Sequence, residues 1–266
     1  EPQTKLRERD NDNYIPSKQL FFDGPDGERI MFKEAKRYTR SEMMVMEMLE
    51  QNNWERPIYF AVTVGDDYYL GLRPYFELTG LAYRVTPTRS EDGRARVNTD
   101  VMYENMMHRF RFGNIDQPGI YVDENLMRMC HTHRMMFLEL SEALYRKGEK
   151  TKAVEVIDYA EKMLPDYNVP YDYSSASMAA IRYAIGDKDG MTDNMAKADT
   201  VMESVAQTCV EYLRWADSLS KRDKKTVQST VNQNLGILGY VLQNLNRYRR
   251  DEIFSLYYPE YEHYAQ

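Results

Sequence analysis

The chain is poor in the residues that most often carry chemistry. Its 266 residues include two cysteines, Cys130 and Cys209, and four histidines, His108, His131, His133 and His263. Two cysteines so far apart exclude a disulfide framework. Their apolar helical surroundings predict buried free thiols, and a bond between them stays open. His131 and His133 stand two apart, so on a helix they turn to different faces and do not share a metal. There is no G-x-x-x-x-G-K-[ST], no G-x-G-x-x-G after a strand, no H-E-x-x-H, no C-x-x-C and no G-x-S-x-G. No apolar run nears the roughly 18 residues of a membrane span. Residues 1–20 are too polar for a signal peptide. A chain that begins at Glu1 reads as a processed or excised piece. Positive charge is in deficit, with 35 basic against 42 acidic residues and a net charge of −7. That disfavours nucleic acid as a partner, because such affinity rests on cations meeting phosphates. The basic runs at residues 221–225 and 247–250 read as solvated helix faces or ends.

A hydrophobic fraction of 42% with 29% charged residues describes a folded protein. Residues 1–38 read as an extended arm and a hairpin whose turn is Asp23-Gly24-Pro25-Asp26-Gly27. Residues 39–120 read as a small α/β element. Thr39 and Glu42 form a capping-box pattern that starts a helix near residue 40 and ends it near Asn52–Asn53. Residues 57–64 predict a buried strand and residues 81–86 a second one, with room for a short helix between them. Residues 99–110 predict another helix. From residue 121 to 266 strand signals vanish and helical periodicity takes over. Leu126, Met129, Cys130, His133, Phe137, Leu140 and Leu144 fall on one stripe. The fold class expected is therefore α+β, mainly α, with a helical-repeat domain at the C-terminal end.

The repeat signal is concentrated in one place. Phe137-x₂-Leu140-Ser141-x₂-Leu144, then Ala153-x₃-Ile157, Ala160 and Pro165, follows the tetratricopeptide pattern. Small residues at 141, 153 and 160 let two antiparallel helices approach, and Gly148 suits a left-handed helix end. Residues 174–185 with 195–210 make a second pair, joined by a loop at 186–190. Residues 225–245 with 251–258 make a third, stopped by Pro259. One pair cannot bury its own apolar face, so stacked neighbours are needed. A second stripe on the first repeat helix, Met135, Leu138, Glu142 and Tyr145, gives either a partner-binding groove or a face covered by the rest of the chain.

Several strings stand in order: residues 52–61 (NNWERPIYFA), 69–75 (YLGLRPY), 80–85 (GLAYRV), 98–103 (NTDVMY) and 165–172 (PDYNVPYD). Over residues 40–245 the chain resembles the C-terminal extracytoplasmic region of a bacterial family of multi-pass membrane proteins. That family is related to protein O-mannosyltransferases and classed among glycosyltransferases. The resemblance implies membrane helices in the parent protein, transfer of a sugar from a lipid-linked donor, and a periplasmic position for this region. It carries over no catalytic residue, metal or cofactor. Trp54 and Arg56 are the exceptions among mostly apolar strings and are candidate functional residues, with an ion-pair role open for Arg56. The expected function is a non-catalytic interaction or scaffold module. Its partner would be a protein or peptide, the membrane part of its own parent chain, or a glycan. The alternative is a carbohydrate-binding or carbohydrate-acting domain with its own site, favoured by 22 tyrosines whose rings can stack on sugars.

Overall fold

A computed structural model describes residues 20–35, 37–189 and 192–265. The chain is α+β and divides into two compact units, Glu1–Arg109 and Phe110–Gln266. The arm expected over residues 1–19 lies outside the described residues. In the first unit, β1 (Phe21–Asp23) and β2 (Arg29–Met31) form the expected hairpin, in register from Phe21 opposite Met31 to Asp23 opposite Arg29. Helix α1 (Arg40–Asn52) starts on a complete capping box. The Glu42 backbone N–H donates to the Thr39 hydroxyl, and the Thr39 N–H donates to the Glu42 carboxylate at 2.7 Å. Asn53 ends it in a left-handed conformation.

The sheet is not the strand–helix–strand unit expected. Strands β3 (Tyr59–Ala61), β4 (Phe76–Leu78), β5 (Ala82–Val85) and β6 (Arg96–Val97) lie in the order β3-β5-β4-β6. β3 and β4 are both antiparallel to β5, and only β6 runs parallel to its neighbour β4. Two 3₁₀ turns, Asp66–Tyr69 and Arg73–Tyr75, replace the helix expected between the strands. Four residues or fewer cannot make the crossover that a parallel pair requires. The strand expected to be buried is also shorter and more exposed. β3 sits at the sheet edge, Tyr59 is 50% exposed, and Phe60 enters the core beside Tyr69 and Phe76. Helix α2 (Thr99–Glu104) continues into one π turn, Asn105–Arg109.

The second unit is helical. Its helices are α3 (Glu124–Arg146), α4 (Lys150–Met163), α5 (Tyr173–Asp189), α6 (Thr192–Asp217), α7 (Lys221–Arg247) and α8 (Asp251–Ala265). Helix α3 packs on α4 and α5, α5 on α6, α6 on α7 and α8, and α7 on α8. Phe137, Leu140, Ser141, Ala153, Ile157 and Ala160 are all buried. The stripe on α3 fades toward its N-terminus, where Leu126 and Met129 are each 41% exposed. Residues 110–120, grouped by sequence with the sheet, pack in this unit. Phe112 stacks on Phe137, and the Asn168 side-chain amide donates to the carbonyls of Ile115 and Gln117.

Two expectations for the outer pairs fail. Helix α5 runs through buried Gly186 to Asp189, so residues 186–189 of the expected loop are helical; residues 190 and 191 lie outside the described residues. Pro259 does not stop α8 either, although a proline inside a helix costs about 3 kcal/mol. Contacts beyond it hold the helix. Glu260 pairs with Arg214 at 2.5 Å, and Tyr261 lies so close to Gly239 that a Cβ there would stand 3.2 Å from its ring.

Gly148 ends α3 as its sequence predicts. Its φ is +84°, its N–H donates to the Tyr145 carbonyl and the Glu149 N–H donates to the Leu144 carbonyl. These two bonds are the Schellman pattern. A Cβ at Gly148 would meet no atom within 4 Å, so substitution tests the backbone alone. Gly148→Ala is expected to cost about 1–2 kcal/mol, the price of a left-handed L-residue. A thermal melt followed by circular dichroism should show Tm lower by about 2–6 °C.

Candidate functional site

The face that carries Met135, Leu138, Glu142 and Tyr145 runs along α3. The structure does not leave all four open. Met135 is 42% exposed and Leu138 is 9% exposed. Glu142 is half-buried and accepts a hydrogen bond from Arg146 at 2.5 Å, and Tyr145 is half-buried. Tyrosines from later helices extend the face. Tyr173, at the start of α5, is 48% exposed and its ring lies 5.1 Å from that of Tyr240 on α7. Tyr183 on α5 and Tyr248 just after α7 make the next ring pair, also at 5.1 Å. Burial pushes the Tyr240 hydroxyl above its ordinary pKa, hydrogen bonds with Ser177 and Asn244 oppose it, and the Glu142 charge adds to the rise. Burial likewise raises Tyr248, and Tyr145 is close enough to add to it. One face thus joins Met135, Glu142 and Tyr145 to Tyr173, Tyr240 and Tyr248. It presents rings and hydroxyls together with the Glu142 carboxylate, an arrangement suited to holding a polar or aromatic partner.

The buried charges of this unit are engaged elsewhere. Arg134, 2% exposed, donates to the carbonyls of Pro170 at 2.7 Å, Val169 at 2.6 Å and Leu164 at 3.0 Å. Asp172 accepts from the Ser175 N–H at 3.0 Å, so it caps α5, and stands 2.7 Å from His131. Burial works to raise its pKa, but His131, Arg134 and the cap outweigh that and hold it below the usual carboxylate range. The 165–172 string is therefore a clasp between α4 and α5. Its Tyr167 hydroxyl also donates to the Asp116 carbonyl at 2.6 Å. Arg182, fully buried, donates to Asp158 at 2.8 Å, Glu161 at 2.9 Å and Asn194 at 3.1 Å. Asp199 accepts from the Tyr183 hydroxyl at 2.7 Å and from Arg250. The composition signals neither buried arginine. The only sequence hint is that each falls inside a helical stretch otherwise rich in small and apolar residues.

The other sequence candidates, Trp54 and Arg56, make structural contacts. Trp54 donates its indole N–H to the Asp23 carbonyl at 3.0 Å and stacks on Phe22, so it fastens the hairpin to the end of α1. Its φ of +62° belongs to that turn. Arg56 is exposed, and its carbonyl accepts from Asn52 at 2.7 Å. Asp66 pairs with Arg73, and Asp123 caps α3 by accepting from the Leu126 N–H at 2.7 Å. Cys130 and Cys209 are free and buried, and burial pushes the Cys209 thiol up to about 12. Among the described residues no group of three or more His, Cys, Asp and Glu could hold a metal ion, and no helix is long and apolar enough to cross a membrane.

Comparison with known proteins adds one link. The family model described as TMEM260-associated domain 2 matches residues 27–101. This ties the sheet-bearing stretch to a TMEM260-type family and fits a domain associated with a membrane protein. No curated protein and no solved structure matches the chain.

Proposed function

We propose that this chain is a non-catalytic interaction or scaffold module belonging to a membrane-embedded, glycosyltransferase-like protein of bacteria, and that it stands on the periplasmic side. Its helical unit acts as a tetratricopeptide-like solenoid. The tyrosine-edged face from α3 to α7 holds a protein or peptide partner, or the membrane part of the parent protein, close to the site of sugar transfer. The observation that carries this reading is the half-open face itself, in which exposed Met135 and Tyr173 flank half-buried Glu142, Tyr145 and Tyr240. The link of residues 27–101 to TMEM260-associated domain 2 supports the membrane-protein context. The strings over residues 40–245 support the sugar-transfer context. The exposed Tyr173 ring favours a second reading, in which the same face stacks on a glycan.

A photo-crosslinking amino acid at Met135, compared with one at exposed Glu155 on α4, separates these readings in cells. The expected result is a discrete protein adduct from position 135 that is absent from position 155. Tyr145→Glu should remove that adduct while costing about 1 kcal/mol, the centre of the range for single substitutions, and leaving the helical unit folded. A glycan array read with the purified chain should show no ligand that Tyr173→Ala removes. If Tyr145→Glu instead unfolds the helical unit, the face is core and the interaction reading fails.

A further inference from the structure

Among the described residues, the sheet of the first unit ends on β3, with no strand beyond it. The pairing of β3 with β5 shows which of its backbone groups are used. The Val85 N–H donates to the Ile58 carbonyl at 2.9 Å, and the Val62 N–H donates to the Leu81 carbonyl at 3.1 Å. Hydrogen-bonded positions in an antiparallel pair alternate, so residues 58, 60 and 62 face β5. Tyr59 and Ala61 therefore turn their backbone groups outward. The Ala61 carbonyl accepts from the Val64 N–H, which leaves the Tyr59 N–H, the Tyr59 carbonyl and the Ala61 N–H aimed away from the sheet. Natural edges are blunted by shortness, charge, proline or a bulge; β3 is short, at three residues, but Tyr59-Phe60-Ala61 carries no charge, proline or bulge.

Beside this edge lies an apolar depression of about 460 Å³. Val45 and Glu42 of α1, Phe60 of β3, and Thr63, Val64 and Tyr68 line it. Its volume is at the lower end of the about 300–1,000 Å³ typical of ligand sites. Helix α1 continues the apolar surface outward with Met44 and Met48, 66% and 57% exposed and one turn apart. Flexible thioethers at such positions suit surfaces that accept varied side chains.

We infer that β3 is a docking edge for an extended segment of a partner polypeptide. The segment adds as a further strand, and one of its apolar side chains enters the depression between α1 and β3. The chemistry on the page selects this occupant. Three outward backbone groups on alternate residues match a strand's own donors and acceptors, and the adjoining hollow takes the side chain that alternation directs to one face. This surface belongs to the first unit and is independent of the tyrosine face.

The test selects random octapeptides displayed on phage against the whole 266-residue chain, then measures the enriched sequences as synthetic peptides by fluorescence anisotropy. Enriched sequences should alternate apolar and polar residues and lack central proline. Ala61→Pro removes one outward donor at an edge position that tolerates proline, and Thr63→Arg fills the hollow from an exposed residue. Each should weaken binding about tenfold or more, with the thermal melt unchanged and the chain monomeric by sedimentation. The inference is overturned if nothing is enriched, or if both variants bind as the parent does. It is equally overturned if the parent self-associates through this edge and Ala61→Pro makes it monomeric, since the occupant is then a second copy.

Discussion

Arg182→Met is expected to remove about 3–5 kcal/mol of stability, the typical cost of withdrawing one partner from a buried ion pair. The guanidinium is fully buried between Asp158 and Glu161 of α4 and Asn194 of α6, and it is carried by α5. Its two carboxylates respond differently. Burial opposes the charge on Asp158, but hydrogen bonds from Lys197 and Arg182 outweigh it and hold the pKa below its usual range. Asp158 keeps Lys197 at 2.9 Å after the substitution. Glu161 does not have that second cation at bonding distance, and burial already raises its pKa despite Arg182. The loss should therefore depend on pH in a defined direction. A buried carboxylate with a raised folded pKa binds more protons folded than unfolded, so stability falls as pH rises above the unfolded value of about 4.3. The deficit of Arg182→Met should be largest at neutral pH and shrink as pH falls toward that value. Adding Glu161→Gln should restore at least about 1 kcal/mol at pH 7 by removing the stranded charge. Urea unfolding at pH 5 and pH 7 measures both effects. Equal losses at the two pH values would remove Glu161 from the explanation.

Arg134→Met is expected to cost about 3 kcal/mol, because three carbonyls of a buried clasp lose their donor at about 1–3 kcal/mol each, with partial recovery through water. Tm should fall by about 6–12 °C. Burial pulls the Arg134 pKa down, against the pull of Asp172, and arginine starts high enough to remain charged. Arg134→Lys separates charge from geometry. It keeps the cation but cannot fork between the Pro170, Val169 and Leu164 carbonyls, so it should recover less than half of the loss. Full recovery by lysine would mean that the charge facing Asp172, 3.7 Å away, matters and the fork does not.

What the sequence shows in advance is what is fixed locally. The capping box at Thr39 and Glu42 and the left-handed end at Gly148 each depend on neighbours within a turn or two. The misread features depend on partners distant in sequence. Arginine ordinarily lies at the surface, and nothing near Arg134 or Arg182 announces carbonyls 30 to 36 positions away or acids 21 to 24 positions away. Pro259 reads as a helix stop until Arg214 and Gly239 hold the turn beyond it. The apolar run at residues 57–64 reads as a buried strand, since composition does not reveal that β3 is the edge of the sheet among the described residues. The four residues of the second stripe were legible as a face of α3. That Tyr173, Tyr240 and Tyr248 would complete it was not, because ring pairing across 65 to 67 positions leaves no periodic trace.

In most arrays of stacked helix pairs, the joints between units are greasy and separable, and an array can lose an end and keep its middle. Here the Arg182 cluster is a rivet through three successive helices, and the Arg134 clasp closes the preceding turn. Peeling α6 away would expose an ion cluster to water in half-dismantled form, the most costly intermediate available. Separation of α4, α5 and α6 is therefore expected to be opposed at these joints, so that the three helices open together rather than one at a time.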